Sequence, residues 1–141
     1  MLTALWVCGV AAVVALAVGY ARARLIVVTV TGNSMRPLIA RGGRVLVRRT
    51  RRCRRGDLVL LRPTWAGRQM VKQVAAEAGD PVPGEFRVAL AAATVPPGML
   101  LVRGTTADSL DSRQLGPLPV DSVIGVVVGR RRAVRVPPVA A

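Results

Sequence analysis

The chain is 141 residues long, enough for one domain, and its 21 Lys plus Arg against 7 Asp plus Glu give a formal net charge of +14, which suggests nucleic acid or an anionic membrane surface as a neighbour. It has no His, so a Ser-His-Asp triad, a Cys-His dyad and a His-ligated metal site are excluded, and two Cys are too few to close a structural zinc site. Hydrophobic residues make up 52% and aromatics only 3%, so Val, Leu and Ala have to fill the core; no metal and no cofactor is expected.

In chain order, the first element is a long apolar run. Leu2 to Tyr20 carry no charged side chain. At ~1.5 Å rise per residue the run spans roughly 28 Å, close to the thickness of a bilayer's hydrocarbon core. Trp6 and Tyr20 are candidate interface anchors. Residues 1–21 are therefore expected to form a transmembrane anchor. A cleaved signal peptide is the competing reading, with Ala21-Arg22-Ala23 supplying small residues at the right spacing. Against it, the run is longer than a usual h-region and no basic stretch precedes it. Arg22 and Arg24 stand just after the run, and the positive-inside rule would leave the C-terminal part of the chain in the cytoplasm. Basic residues upstream of Met1 would remove that conflict.

Residues 24–132 are expected to form a compact, mostly antiparallel β domain. Short β-type runs fall at Leu25–Val30, Arg44–Arg48, Asp57–Leu61, Gln69–Ala75, Glu85–Leu90, Met99–Val102 and Val123–Val128, separated by Gly and Pro breaks. The densest charge, Arg48-Arg49-Thr50-Arg51-Arg52-Cys53-Arg54-Arg55, has three readings: a nucleic-acid patch, a hairpin loop facing anionic headgroups, or a solvated loop. Stacking aromatics and a nucleic-acid fold signature are both missing, so no nucleic-acid partner is expected. Cys8 lies in the apolar run and Cys53 in this basic loop, so no disulfide between them is expected. From Arg130 the chain is basic, then rich in Pro and Ala, and 133–141 are expected to be a flexible tail.

Two positions carry candidate chemistry. Ser34 stands in Gly32-Asn33-Ser34-Met35-Arg36-Pro37, a stretch of turn formers stiffened by proline. By itself it is a turn serine or a well-presented hydroxyl. The chain's basic residues are 20 Arg and one Lys, Lys72. Arg keeps its proton at any working pH, whereas a buried Lys can lose it and act as a base. Lys is the known substitute for His beside a nucleophilic serine. On a strand, Lys72 shares a face with Met70 and Val74. That apolar setting would lower its pKa, where an ordinary strand lysine would stay solvated and charged.

Four blocks, in order, are similar to those of type I signal peptidases, membrane-bound serine proteases with a Ser-Lys dyad. They are Gly32-Asn33-Ser34-Met35-Arg36-Pro37-Leu38, Arg55-Gly56-Asp57-Leu58-Val59-Leu60, Met70-Val71-Lys72-Gln73-Val74 running to Gly79-Asp80, and Ser109-Leu110-Asp111-Ser112-Arg113 with Gly116. The resemblance implies that Ser34 is the nucleophile and Lys72 the general base. It further implies that Ser109 orients Lys72 and that Asp111 and Arg113 pair to brace the site. Met35 and Pro37 then belong to the nucleophile's placement, and Gly32 to an oxyanion hole without a side-chain donor. The last block usually opens with Gly-Asp-Asn, where Gly104-Thr105-Thr106 stands here, and Gln73 replaces the Arg usual after the base. Only 31 residues separate Lys72 from Gly104, which implies the minimal form of the family.

By the same resemblance the substrates are preproteins with small residues at positions −1 and −3. The enzyme would be a single-pass protein of the cell membrane with its catalytic domain outside the cytoplasm and anionic lipids beside it. The nearest rivals are the self-cleaving SOS repressors, which share a Gly-x-Ser-Met turn and a Val-Lys block, a maturation protease dedicated to one partner peptide, and an anchored homologue without activity.

Overall fold

The computed structural model describes residues 2–129. The expected tail at 133–141, and the last residues of the expected 24–132 domain, lie outside the described residues. Helix α1 covers Leu2–Arg24, four residues beyond the uncharged run. Ala21-Arg22-Ala23-Arg24 are good helix formers, and Arg22 and Arg24 fall in the last turn, where cations favour the helix dipole. The Arg24 guanidinium lies 5.3 Å from the Tyr20 ring centre. The helix is exposed on every described side, and its stretch Trp6–Arg24 is long and apolar enough to cross a membrane.

Seven strands come after it: β1 (Leu25–Thr29), β2 (Arg44–Arg49), β3 (Leu58–Leu61), β4 (Met70–Ala76), β5 (Met99–Arg103), β6 (Leu118–Pro119) and β7 (Val123–Val127). They form one sheet in the order β1-β2-β7-β3-β4-β5-β6, with every pair antiparallel. The expected mostly antiparallel β domain is what forms. The last strand, β7, inserts between β2 and β3. Gly125 makes that insertion feasible: it pairs with both Arg49 and Leu60, and a Cβ there would collide with the Arg48 carbonyl and a Val47 methyl.

One expected strand is absent. Residues 85–90 make a short 3-10 helix, Gly84–Phe86, followed by turns. Phe86 is fully buried while Val88 is 98% exposed, so the alternation that suggested a strand has no common buried face. Nor can the segment pair with β5, the strand that follows it, because β5 already pairs with β4 on one side and β6 on the other. The two-residue β6 and a four-residue helix α2 (Ser112–Leu115) carried too little pattern to be expected.

Burial on both faces distinguishes the centre. All four residues of β3 and six of seven in β4 are buried. One face packs Leu58, Leu60 and Val71 against Val30, Met35, Ile39 and Val47; the other packs Val59, Leu61 and Val74 against Leu100, Val102 and Val126. A third cluster seats Phe86 on Ala75, Ala76 and Leu101. Aliphatic side chains fill nearly all of it, as the composition requires.

The register also sets what lies near α1. Leu25 pairs with Arg48, Arg48 with Val126, Val126 with Val59 and Val59 with Lys72. Lys72 thus lies in the same row across five strands as the first residue after the helix. The tip of the β3–β4 hairpin, with Trp65 at 54% exposure, projects from that same end of the sheet.

Candidate active site

The stretch after β1 is anchored from below. Met35 and Ile39 are each 1% exposed and sit in the core, and burying such side chains contributes about 1.5–3 kcal/mol each. Between them the chain turns tightly: the Arg36 amide donates to the Asn33 carbonyl at 3.1 Å and the Ile39 amide to the Met35 carbonyl at 2.8 Å. The Arg36–Pro37 peptide is cis. With Met35 facing the core, its neighbour Ser34 is half-buried and lines a cleft of about 370 Å³. The Ser34 amide and hydroxyl donate no hydrogen bond among the described residues. Gly32 lies in the same cleft wall, with open space where a Cβ would stand.

Lys72 reaches that cleft from β4, 3% exposed. Its neighbours at period two, Met70 and Val74, both pack in the apolar cluster on one face of the sheet, as the alternation predicts. Its Nζ donates to Ser109 Oγ at 2.5 Å, and Ser109 is itself buried. Burial pushes the Lys72 ammonium below the ordinary lysine range. Asp111 opposes the shift, while the Arg113 and Arg68 charges act with it.

Asp111 caps α2 and organises the loop before it. One carboxylate oxygen accepts from the Gly104 amide at 2.7 Å and from Arg113 Nη2 at 2.7 Å. The other accepts from the Arg113 amide at 3.0 Å and from Arg113 Nε at 2.9 Å. Burial alone would raise the Asp111 pKa, but these bonds to Arg113 and Gly104 outweigh it and hold the carboxyl below the usual range. Arg113 also donates to the Thr106 carbonyl at 3.1 Å, and Ser112 Oγ accepts from the Val102 amide at 2.9 Å, tying α2 to β5.

The structure thus brings Ser34, Lys72, Ser109, Met35 and Gly32 to one cleft and sets the Asp111–Arg113 pair behind it. Pro37 is exposed at the end of the turn, outside the cleft lining. Three further contributors were named from the sequence without a role. Gly104 sits where a Cβ would collide with the Ser109 side chain and stand 2.8 Å from the Ser34 carbonyl oxygen. Thr105 bonds the Ser34 turn directly, its amide donating to the Ser34 carbonyl at 2.8 Å. Gln73, 2% exposed, donates to the Gly56 carbonyl at 3.3 Å and accepts from Arg103 Nε at 3.4 Å, and Arg103 in turn pairs with Glu85 at 3.2 Å. Only the departures Gly104-Thr105-Thr106 and Gln73 pointed towards these positions. Burial and the nearby Glu77 and Asp57 push the Cys53 thiol up, away from the reactive thiolate form.

An antiparallel β domain with an unpartnered serine hydroxyl and a desolvated lysine on one cleft is a layout on which acyl transfer can be built without His. Residues 11–82 match the family model described as Peptidase S24-like, and residues 83–130 match that of Signal peptidase, peptidase S26. The chain belongs to this S24/S26 group, the family of the type I signal peptidases, and is a peptidase of that kind. No curated protein matches it.

Proposed function

We propose that the protein is a membrane-anchored serine endopeptidase that removes signal peptides from exported proteins, with Ser34 as nucleophile and Lys72 as general base. The observation that carries this reading is Lys72: desolvated, held by Ser109, and on the wall of the cleft that also holds the Ser34 hydroxyl. Neutral Lys72 takes the Ser34 proton as Ser34 Oγ attacks the scissile carbonyl. The free Ser34 amide donates to the oxyanion that forms. Lys72 returns the proton to the leaving amine, then activates the water that releases the acyl group. Small residues at −1 and −3 suit the apolar part of the cleft, where Val28, Val30 and Leu60 contribute.

Membrane anchoring is supported by α1 and by what the register sets beside it. Arg22, Arg24, Arg51, Arg52, Arg62 and Arg68 flank the α1 end of the sheet with Trp65, where Asp121 pairs with Arg51 and Asp108 lines the cleft with Arg68. Each such Arg contributes about 1 kcal/mol near an anionic surface. Exported proteins emerge on the outer side, so the catalytic domain is assigned there. A second reading is a protease dedicated to one partner peptide, with which the altered Gly104-Thr105-Thr106 block is compatible.

The test is cleavage of a preprotein with an Ala-x-Ala site by the detergent-purified protein. Ser34→Ala, Lys72→Ala and Lys72→Arg are each expected to lose about 10³-fold or more, Arg failing because it keeps its proton. Parental rates in Lys72→Ala would sink the dyad. A protein that cuts one cognate peptide and no general preprotein is the dedicated enzyme.

A further inference from the structure

We propose that Thr105 is a positioning residue for the nucleophile, its hydroxyl setting where Ser34 stands relative to Lys72. This rests on the dyad reading above. The Ser34 turn is secured on its core side by Met35 and by its own Asn33–Arg36 bond. On the other side, Thr105 holds it across a sequence separation of about seventy residues. Besides the amide bond to the Ser34 carbonyl, Thr105 Oγ1 lies 3.1 Å from that same oxygen and within hydrogen-bond reach of the Arg36 carbonyl. A hydroxyl has one proton to donate, so the two carbonyls share it. They flank Met35, and a group bonded to both fixes the twist of the turn that aims the Ser34 side chain.

The other end of the same short segment serves the base. Gly104, next in the chain, is clamped by Asp111 through its amide and pressed between Ser109 and the Ser34 carbonyl. Ser109 holds Lys72. One piece of backbone, 104–109, therefore touches the supports of both reacting residues, and Thr105 is its contact on the nucleophile's side. The methyl of threonine restricts χ1 and keeps the hydroxyl on its acceptors; valine keeps the shape and cannot donate.

The experiment compares Thr105→Val, Thr105→Ala and Thr105→Ser with the parent, on an internally quenched peptide with Ala at −1 and −3 in detergent micelles, well below each variant's Tm. Loss of the hydroxyl is expected to lower kcat by about 10- to 100-fold, as for a displaced reacting group, with KM nearly unchanged. The alkaline-rising limb of the pH profile stays in place, because no contact of Lys72 is altered. Thr105→Ser restores kcat to within about 3-fold, since its hydroxyl donates but is less confined. A purely structural role would lower Tm and leave kcat per folded molecule intact. If Thr105→Val does not fold, the smaller Thr105→Ala carries the comparison. Parental kcat in the hydroxyl-free variants, with Ser34→Ala inactive, overturns the inference alone. Cleavage that survives Ser34→Ala overturns the dyad reading and this inference with it.

Discussion

The two residues assigned to the chemistry are held by opposite means. Lys72 sits mid-strand, paired across to Val59 on β3 and flanked by β5 on the other side, in the most buried part of the sheet. Ser34 sits on a half-exposed turn with no ladder partner, placed by Met35 below it and Thr105 beside it. A strand fixes the direction of its side chains, and Ser109 holds the end of this one, so a base proposed there needs chiefly a lowered proton affinity, and burial acts in that direction. A turn places its side chain only as well as its tethers allow, so the nucleophile needs contacts from elsewhere in the chain.

That contrast can be broken at the base first. Lys72→Met is expected to abolish cleavage, by about 10³-fold or more, while raising Tm at neutral pH. The sign comes from linkage: with a folded pKa below the unfolded one, the unfolded chain binds the proton more readily, so stability rises with pH between the two values. Removing the amine relieves the folded state, and the gain shrinks as pH climbs from the lowered folded pKa towards the ordinary lysine pKa of about 10.4, above which it is gone. A melting series across pH checks it; a lower Tm at every pH would show that the Ser109 bond outweighs desolvation.

Gly104→Ala attacks the shared support. A Cβ there collides with Ser109 and crowds the Ser34 carbonyl, so both sides of the site must shift. The expected losses are about 10²-fold in kcat and about 1–3 kcal/mol in stability. Denaturant unfolding beside a rate assay measures both, and an active, stable Gly104→Ala would show that the segment yields freely.

The smallest effect is on titration. The rate is expected to rise with pH through the lowered pKa of Lys72, since only the neutral amine accepts the Ser34 proton. Arg68→Gln removes a charge that favours the neutral amine, so the limb should move to higher pH with little change in the plateau. At the acid end the stability slope has the same sign, since this folded pKa is lowered too. Asp111 stabilises the fold above the ordinary carboxylate range, and that contribution is lost as pH falls through its lowered folded pKa. A limb that stays put in Arg68→Gln would mean its charge is screened at the cleft mouth.

How far the sequence reached depends on which forces are local. The apolar helix, six of the seven expected strands and the Gly and Pro breaks were legible because each is written in a few consecutive side chains. The strand expected at 85–90 failed because alternation says nothing about whether a sheet edge is free, and β6, which takes that edge, is two residues long. Absence of His and a single Lys pointed to Lys72 as a candidate base, whereas Ser34 became the candidate nucleophile only through the resemblance of four blocks to those of type I signal peptidases. The burial that lowers the Lys72 pKa was decided by tertiary structure, when β7 inserted between β2 and β3 and apolar layers covered both faces of β3 and β4. So were the bonds from Thr105 to the Ser34 turn and the close fit of Gly104. Desolvation and hydrogen bonds between distant segments depend on which surfaces meet, and no run of neighbouring residues encodes that meeting.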